Sequence, residues 1–152
     1  MHRSTDDTSA ALTEKAATAA FSVIGGAVVR GGVTQPISNA TLCNGMLFVA
    51  GQVPMRNGQP AASDIEGQTD YVIDMIAGIL AQAGCGLEHI VKVTVWLTDP
   101  QDYAGFHTAY GRRFAQAPYP ARSTVISQLI APVKIEMEVV AALPQSTTIA
   151  TP

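Results

Sequence analysis

Two short stretches near the C-terminal end of this 152-residue chain carry side chains able to do chemistry. In residues 133–141, Val133, Ile135, Met137, Val139 and Ala141 alternate with Lys134, Glu136, Glu138 and Val140. Period-two alternation marks a strand with one buried face, so two carboxylates and an ammonium share the other. Two readings fit. The charged face is a solvated strand edge, or one glutamate sits partly buried at a seam and acts as general acid or base, a role contributing roughly 10²–10⁴ in rate. The second stretch is Pro120-Ala121-Arg122-Ser123-Thr124. Proline stiffens the approach, and Arg122 opens a strand among small and apolar neighbours. A guanidinium fork matches a carboxylate bidentately, at about 1.5–3 kcal/mol per charged hydrogen bond. That carboxylate is either a small acid ligand or an acid of the same chain.

These groups need a scaffold, and its elements are readable. A strand-like run from Val23 is interrupted by Gly25, Gly26, Gly31 and Gly32. Two strands follow, at 40–43 and 46–50, joined by Asn44-Gly45, a strong hairpin signal. The segment 56–60 reads as a loop. Ser63 and Glu66 have capping-box spacing before a helix whose apolar face is Ile65, Val72, Ile76, Ile79, Leu80 and Ala83, ended by Gly84 and Gly86. Val91, Val93, Val95 and Leu97 alternate as a strand. Asp99-Pro100 then starts a second helix with the stripe Tyr103, Phe106, Tyr110 and Phe114, stopped by Pro118 and Pro120. Strands at 122–130 and 133–143 close the chain. The order β-β-α-β-α-β-β predicts an α+β fold with two helices on one face of a sheet. Residues 1–22 read as a mobile extension, turning helical around 10–20. Residues 23–143 form the domain, and 144–152 a polar tail.

Two helices cover one face of such a sheet and leave the other open. Residues 46–49 are apolar on both sides, and Trp96, Ile126 and Ile130 fall on the parity opposite to their strands' other apolar residues. A large uncovered apolar face is unusual for a monomer, so self-association is expected, with sites at its seams. Composition narrows the partners. Twelve acids against nine bases give a formal net charge of -3, which offers no general attraction for nucleic acid or anionic lipid. No apolar run reaches the roughly 18 residues of a membrane span. Cys43 and Cys85 with three scattered histidines give neither a disulfide framework nor zinc spacing. The acidic stretch before the apolar residues 16–29 is wrong for a signal peptide, so a cytoplasmic protein is expected.

In residues 46–54 (MLFVAGQVP), 80–87 (LAQAGCGL), 90–99 (IVKVTVWLTD), 103–114, 120–123 (PARS) and 133–141 (VKIEMEVVA), the chain resembles the RidA/YjgF family of reactive intermediate deaminases. The resemblance spans roughly residues 36–142. It implies a homotrimer of chorismate-mutase-like fold with ligand clefts between subunits. The implied reaction is hydrolysis of small enamine or imine acids, such as 2-aminoacrylate, to the 2-keto acid and ammonia without cofactor or metal. The substrate-carboxylate anchor falls on Arg122, and the residue that activates water falls on Glu136. A backbone contact falls at Gly51-Gln52, and a position often Cys in the family is Thr124.

Three departures accompany the resemblance. The family's Gly-Pro-Tyr reads Gln35-Pro36-Ile37, so the site tyrosine is Ile37. The usual Asn of the second helix is His107, either a proton shuttle or a hydrated surface side chain. Arg122 and Glu136 are fourteen positions apart, one fewer than is common, which trims the turn at Ala131-Pro132. Beside imine hydrolysis stand three other readings. One is a deaminase or hydrolase of another enamine or amide, of amino-muconate type, which the change to Ile37 favours. Another is a non-catalytic trimer binding small acids or partner proteins. The last is ribonuclease action, against which the negative charge and the lack of a basic-aromatic patch count.

Overall fold

The computed structural model describes residues 20–145, so residues 1–19 and 146–152, with the helix expected around 10–20 and most of the polar tail, lie outside the described residues. Six strands form one sheet in the order β1-β2-β3-β8-β6-β7, and two short ones form a separate hairpin. They are β1 (Ser22–Arg30), β2 (Val33–Cys43), β3 (Met46–Gln52), β4 (Met55–Arg56), β5 (Gln59–Pro60), β6 (Ile90–Leu97), β7 (Ala121–Ile126) and β8 (Ile135–Ala142). The helices are α1 (Ile65–Ala81) and α2 (Tyr103–Arg113). All neighbouring strands are antiparallel except β6 and β7, the pair that α2 links by a crossover. The α+β architecture expected from the sequence is the one present.

The turns follow from residue chemistry. Asn44 and Gly45 take φ of 49° and 75°, the left-handed pair that a two-residue hairpin turn requires, and join Cys43 to Met46. Asn57-Gly58 repeats the device, so the expected loop at 56–60 is the β4–β5 hairpin. The helix cap differs from the expected one. Asp64, not Ser63, caps α1, its Oδ2 accepting from the Gly67 amide at 3.3 Å. Glu66 is not closing a capping box but pairs with Arg112 of α2 at 2.8 Å. Aspartate and serine compete on equal terms as caps, and the nearer acid wins. At the second helix Asp99 does cap, accepting from the Gln101 amide at 2.8 Å, and Pro100 follows at the first position of a 3-10 turn that leads into α2.

The core lies between the helices and one face of the sheet. Leu47, Val72, Ile73, Ile76, Leu80, Val93, Val95, Leu97, Phe106, Ile135, Met137 and Val139 are all buried there. Each such side chain contributes about 1.5–3 kcal/mol relative to exposure. Two details depart from the sequence pattern. A register shift between Ile90 and Lys92 turns Ile90 inward and leaves Val91 exposed. β7 ends at Ile126 and β8 begins at Ile135, both shorter than expected.

The opposite face has no helix. Val125 pairs with Trp96, and Phe48 with Val140, on the side away from the core. Phe48 and Val125 are 47% and 46% exposed. Ile126 does not belong to this face: it pairs with Leu97, whose side chain is in the core, so Val125 takes the place expected for it. Ile130 lies beyond β7 in the connection to β8 and is fully exposed.

Candidate functional site

Glu136 and Arg122 stand on strands separated only by β6, yet they face opposite ways. Arg122 pairs with Val93, which points into the core, so the guanidinium lies on the helix side. Glu136 pairs with Trp96 and sits between buried Ile135 and Met137, so its carboxylate lies on the open side. A single chain therefore does not bring the two together. Each occupies a cleft of its own.

The Arg122 cleft has a volume of about 490 Å³ and is lined by His107, Tyr110, Phe114, Tyr119 and Arg122 among others. Aromatic rings hold the guanidinium. Its carbon lies 4.5 Å from the Tyr110 ring centre and 5.1 Å from that of Phe106, and Nη2 donates to Tyr103 Oη at 3.4 Å. Cation–π contacts contribute about 0.5–1 kcal/mol each and leave the donor edge of the fork free. Among the described residues no carboxylate comes within ion-pair distance of Arg122. The intrachain partner that the sequence left open is thus not found among them. Burial pushes the Tyr110 hydroxyl up, against the opposing charge of Arg122. His107 lines this cleft and stacks on Tyr103 with ring centres 5.9 Å apart. Thr124 shares the helix side of β7 but does not line the cleft, and its buried Oγ1 has no hydrogen-bond partner among the described residues.

The Glu136 cleft, also about 490 Å³, is lined by Arg30, Ile37, Asn39, Gly51, Met75 and Glu136 with flanking residues. Its shape depends on a bulge. Val49 pairs with Val139 and Gln52 with Met137, so Ala50 and Gly51 together oppose Glu138. That extra residue brings the Gly51 Cα against the Glu136 side chain. A β-carbon at Gly51 would overlap Glu136 Oε1 and come within 3.2 Å of Cδ. Glycine is favoured there by space, not by φ, since a β-carbon would displace the end of the Glu136 side chain. Gln52 lines the cleft too, and its buried side chain donates to the Ala50 carbonyl at 3.0 Å, which holds the bulge. Burial pushes the Glu136 carboxyl above its ordinary value, Arg30 opposing and Glu138 adding to the rise. A carboxyl whose proton affinity is raised holds and passes a proton more readily than a fully solvated one.

Sequence reasoning missed two things. Tyr103, Phe106 and Tyr110 read as the apolar stripe of a helix, but they also form the cradle of Arg122; an arginine opening the strand that directly follows an aromatic helix was the available signal. Arg30 was hidden because the glycines around it obscured β1. Among the described residues no cluster of three or more His, Cys, Asp or Glu could hold a metal ion, and no helix is long and apolar enough to cross a membrane.

Residues 31–143 match the family profile described as Endoribonuclease L-PSP. A RutC family protein from Synechocystis is 38% identical over 113 residues, covering 72% of this chain and 87% of its own. A RutC family protein from Pyrococcus abyssi is 41% identical over 109 residues, covering 70% and 85%. Among solved structures, the Rid family protein YyfA from Yersinia pestis superposes with a TM-score of 0.73 at 34% identity, covering 82% of this chain and all of its own.

Proposed function

The chain belongs to the endoribonuclease L-PSP family, which includes the RutC and Rid proteins, and on that premise we propose that it hydrolyses small reactive enamine and imine acids to the 2-keto acid and ammonia. The reaction takes place where copies of the chain meet, in a homotrimer, with the Arg122 cleft of one copy closing over the Glu136 cleft of the next. The observation that carries this reading is the Glu136 carboxylate seated against Gly51 in a partly buried cleft, its affinity for a proton raised. The complementary anchor, Arg122, has its guanidinium backed by aromatic rings and is free of any acid among the described residues. The half-apolar open face of the sheet supplies a surface for assembly.

The enamine acid tautomerises to the imine, which takes up a proton from solvent to become the iminium, and Arg122 holds its carboxylate. Glu136 accepts a proton from water as the water oxygen bonds to the iminium carbon. The resulting carbinolamine takes that proton back on nitrogen; as the C–N bond breaks, Glu136 removes the hydroxyl proton to leave the keto C=O and passes it to the departing ammonia. Iminium and water become keto acid and ammonium, so atoms and charge balance. Positioning and one proton carrier are enough for a reaction this easy. A nucleic-acid backbone would need a track of cations, whereas the Arg122 cleft offers a single guanidinium beside one histidine on a chain of net charge -3.

The test is to generate the imine with an amino-acid oxidase, or 2-aminoacrylate with a serine dehydratase, and to follow keto-acid formation. The protein should accelerate it, and Arg122→Ala and Glu136→Ala should each lower that acceleration by roughly 10²–10⁴. Equal rates with and without the protein would end the proposal. A second reading, hydrolysis of a larger enamine or amide of amino-muconate type, is favoured by Ile37, which gives the Glu136 cleft an apolar wall.

A further inference from the structure

Arg30 ends β1 at the Gly31-Gly32 turn, where both glycines have positive φ, and pairs across the hairpin with Val33. It lines the Glu136 cleft together with Ile37 and Met75. It also lines an adjoining cleft of about 570 Å³ with Val53, Met55, Ile130 and Glu136. Arg30 and Glu136 are thus at the junction of two clefts whose other walls are mostly apolar or backbone. They share that space without forming an ion pair, and among the described residues no other acid pairs with Arg30. A guanidinium in this position has its fork open to a ligand anion.

The assembled site holds more positive charge than a monocarboxylic imine uses. Arg122 takes one carboxylate. Glu136 carries negative charge when it acts as a base and repels a second anion nearby, unless a cation balances it. We propose that Arg30 binds the distal carboxylate of a dicarboxylic imine or enamine, so that the preferred substrate carries one acid group at Arg122, a second at Arg30, and the reactive carbon beside Glu136. This rests on the imine-hydrolase reading for its chemistry, but the binding claim can be tested without turnover.

Calorimetry on the full chain would compare two dicarboxylic keto acids, oxaloacetate and 2-oxoglutarate, with the monocarboxylic pyruvate and 2-oxobutyrate. A dicarboxylate should bind about tenfold or more tightly than its monocarboxylic counterpart, the value of one charged contact. Arg30→Met should collapse that ratio towards one, and Arg30→Lys should keep part of it. Arg56→Met removes the same charge from the neighbouring β4–β5 hairpin, outside both clefts, and should leave the ratio as it was. Equal affinities, no binding of any keto acid, or a ratio that survives Arg30→Met would overturn the inference. The same variants are then assayed with the imines of aspartate and alanine. Arg30-dependent dicarboxylate binding without turnover would leave the inference standing and remove the hydrolase reading. Turnover without dicarboxylate preference would do the reverse.

Discussion

The two clefts are built on opposite principles. Arg122 is held by side chains: three aromatic residues of one helix fix a permanently charged group and leave it without an acid partner among the described residues. Glu136 is held by backbone: a bulge and a missing β-carbon let a titratable group settle against the chain, where partial loss of water changes its proton affinity. The first arrangement suits binding, because its charge does not vary with pH and its geometry does not need water. The second suits proton transfer, because small environmental changes move its equilibrium. The sheet lies between them. If Arg122 anchors the substrate and Glu136 acts on it, their opposite faces mean that one site uses both only where two copies of the chain meet.

The sharpest way to break that contrast is complementation. Arg122→Ala and Glu136→Ala should each lower activity by roughly 10²–10⁴. If each site takes its arginine from one copy and its glutamate from the next, an equimolar mixture of the variants, unfolded and refolded together, regains about a quarter of the wild-type sites. A site contained in one chain would regain nothing. Imine hydrolysis by the co-refolded mixture, compared with the variants refolded separately, decides between them.

A smaller effect is expected at the backbone-held cleft alone. Gly51→Ala places a methyl group where the Glu136 carboxylate lies, and the carboxylate is the flexible partner that must move. Activity should fall about 10²-fold, the usual consequence of misplacing a reacting group by about 1 Å. Thermal stability should change little. A variant that unfolds instead would show that the bulge supports the sheet rather than the site. On the open face, Phe48→Lys puts a charge on an exposed aromatic position. It should leave the secondary structure by circular dichroism intact while sedimentation shifts towards the monomer. A trimer that persists would mean that this face is not the seam.

Much of the scaffold was legible because it rests on local rules. The Asn44-Gly45 turn, the Asp99-Pro100 start and the alternation of residues 133–141 each depend on neighbours in sequence. The register shift at Ile90, the cap at Asp64 and the shared face of Val125 and Trp96 depend on pairings or competitors that no single segment reveals. The site divides in the same way. Arg122 and Glu136 stood out as residue types on strands. That they face opposite ways follows only from the register of three strands. Arg30 escaped notice because glycines with positive φ, which permit the bulged β1–β2 hairpin, look like a break in a strand.

The smallest expected effect separates the titratable cleft from the permanently charged one by pH alone. Glu136 has a folded-state proton affinity above the ordinary carboxyl value of 4.5, chiefly through burial. The folded chain therefore holds this proton more tightly than the unfolded chain does. The contribution to stability is fully present below the ordinary value and is lost as pH rises through the raised one. Glu136→Gln keeps the shape and removes the titration. At pH 7 it should melt on the order of 2 °C above the wild type, and at pH 4 the two should converge because the wild-type carboxyl is then protonated as well. The activity profile should move the opposite way: in the wild type, hydrolysis rises with pH as Glu136 gives up its proton, on a limb displaced above the ordinary carboxyl range. Arg122→Lys, which keeps its charge throughout, should shift melting equally at both pH values. A Glu136→Gln difference that is the same at pH 4 and pH 7 would mean the carboxyl is solvated, and the division between a fixed anchor and a tuned base would fail.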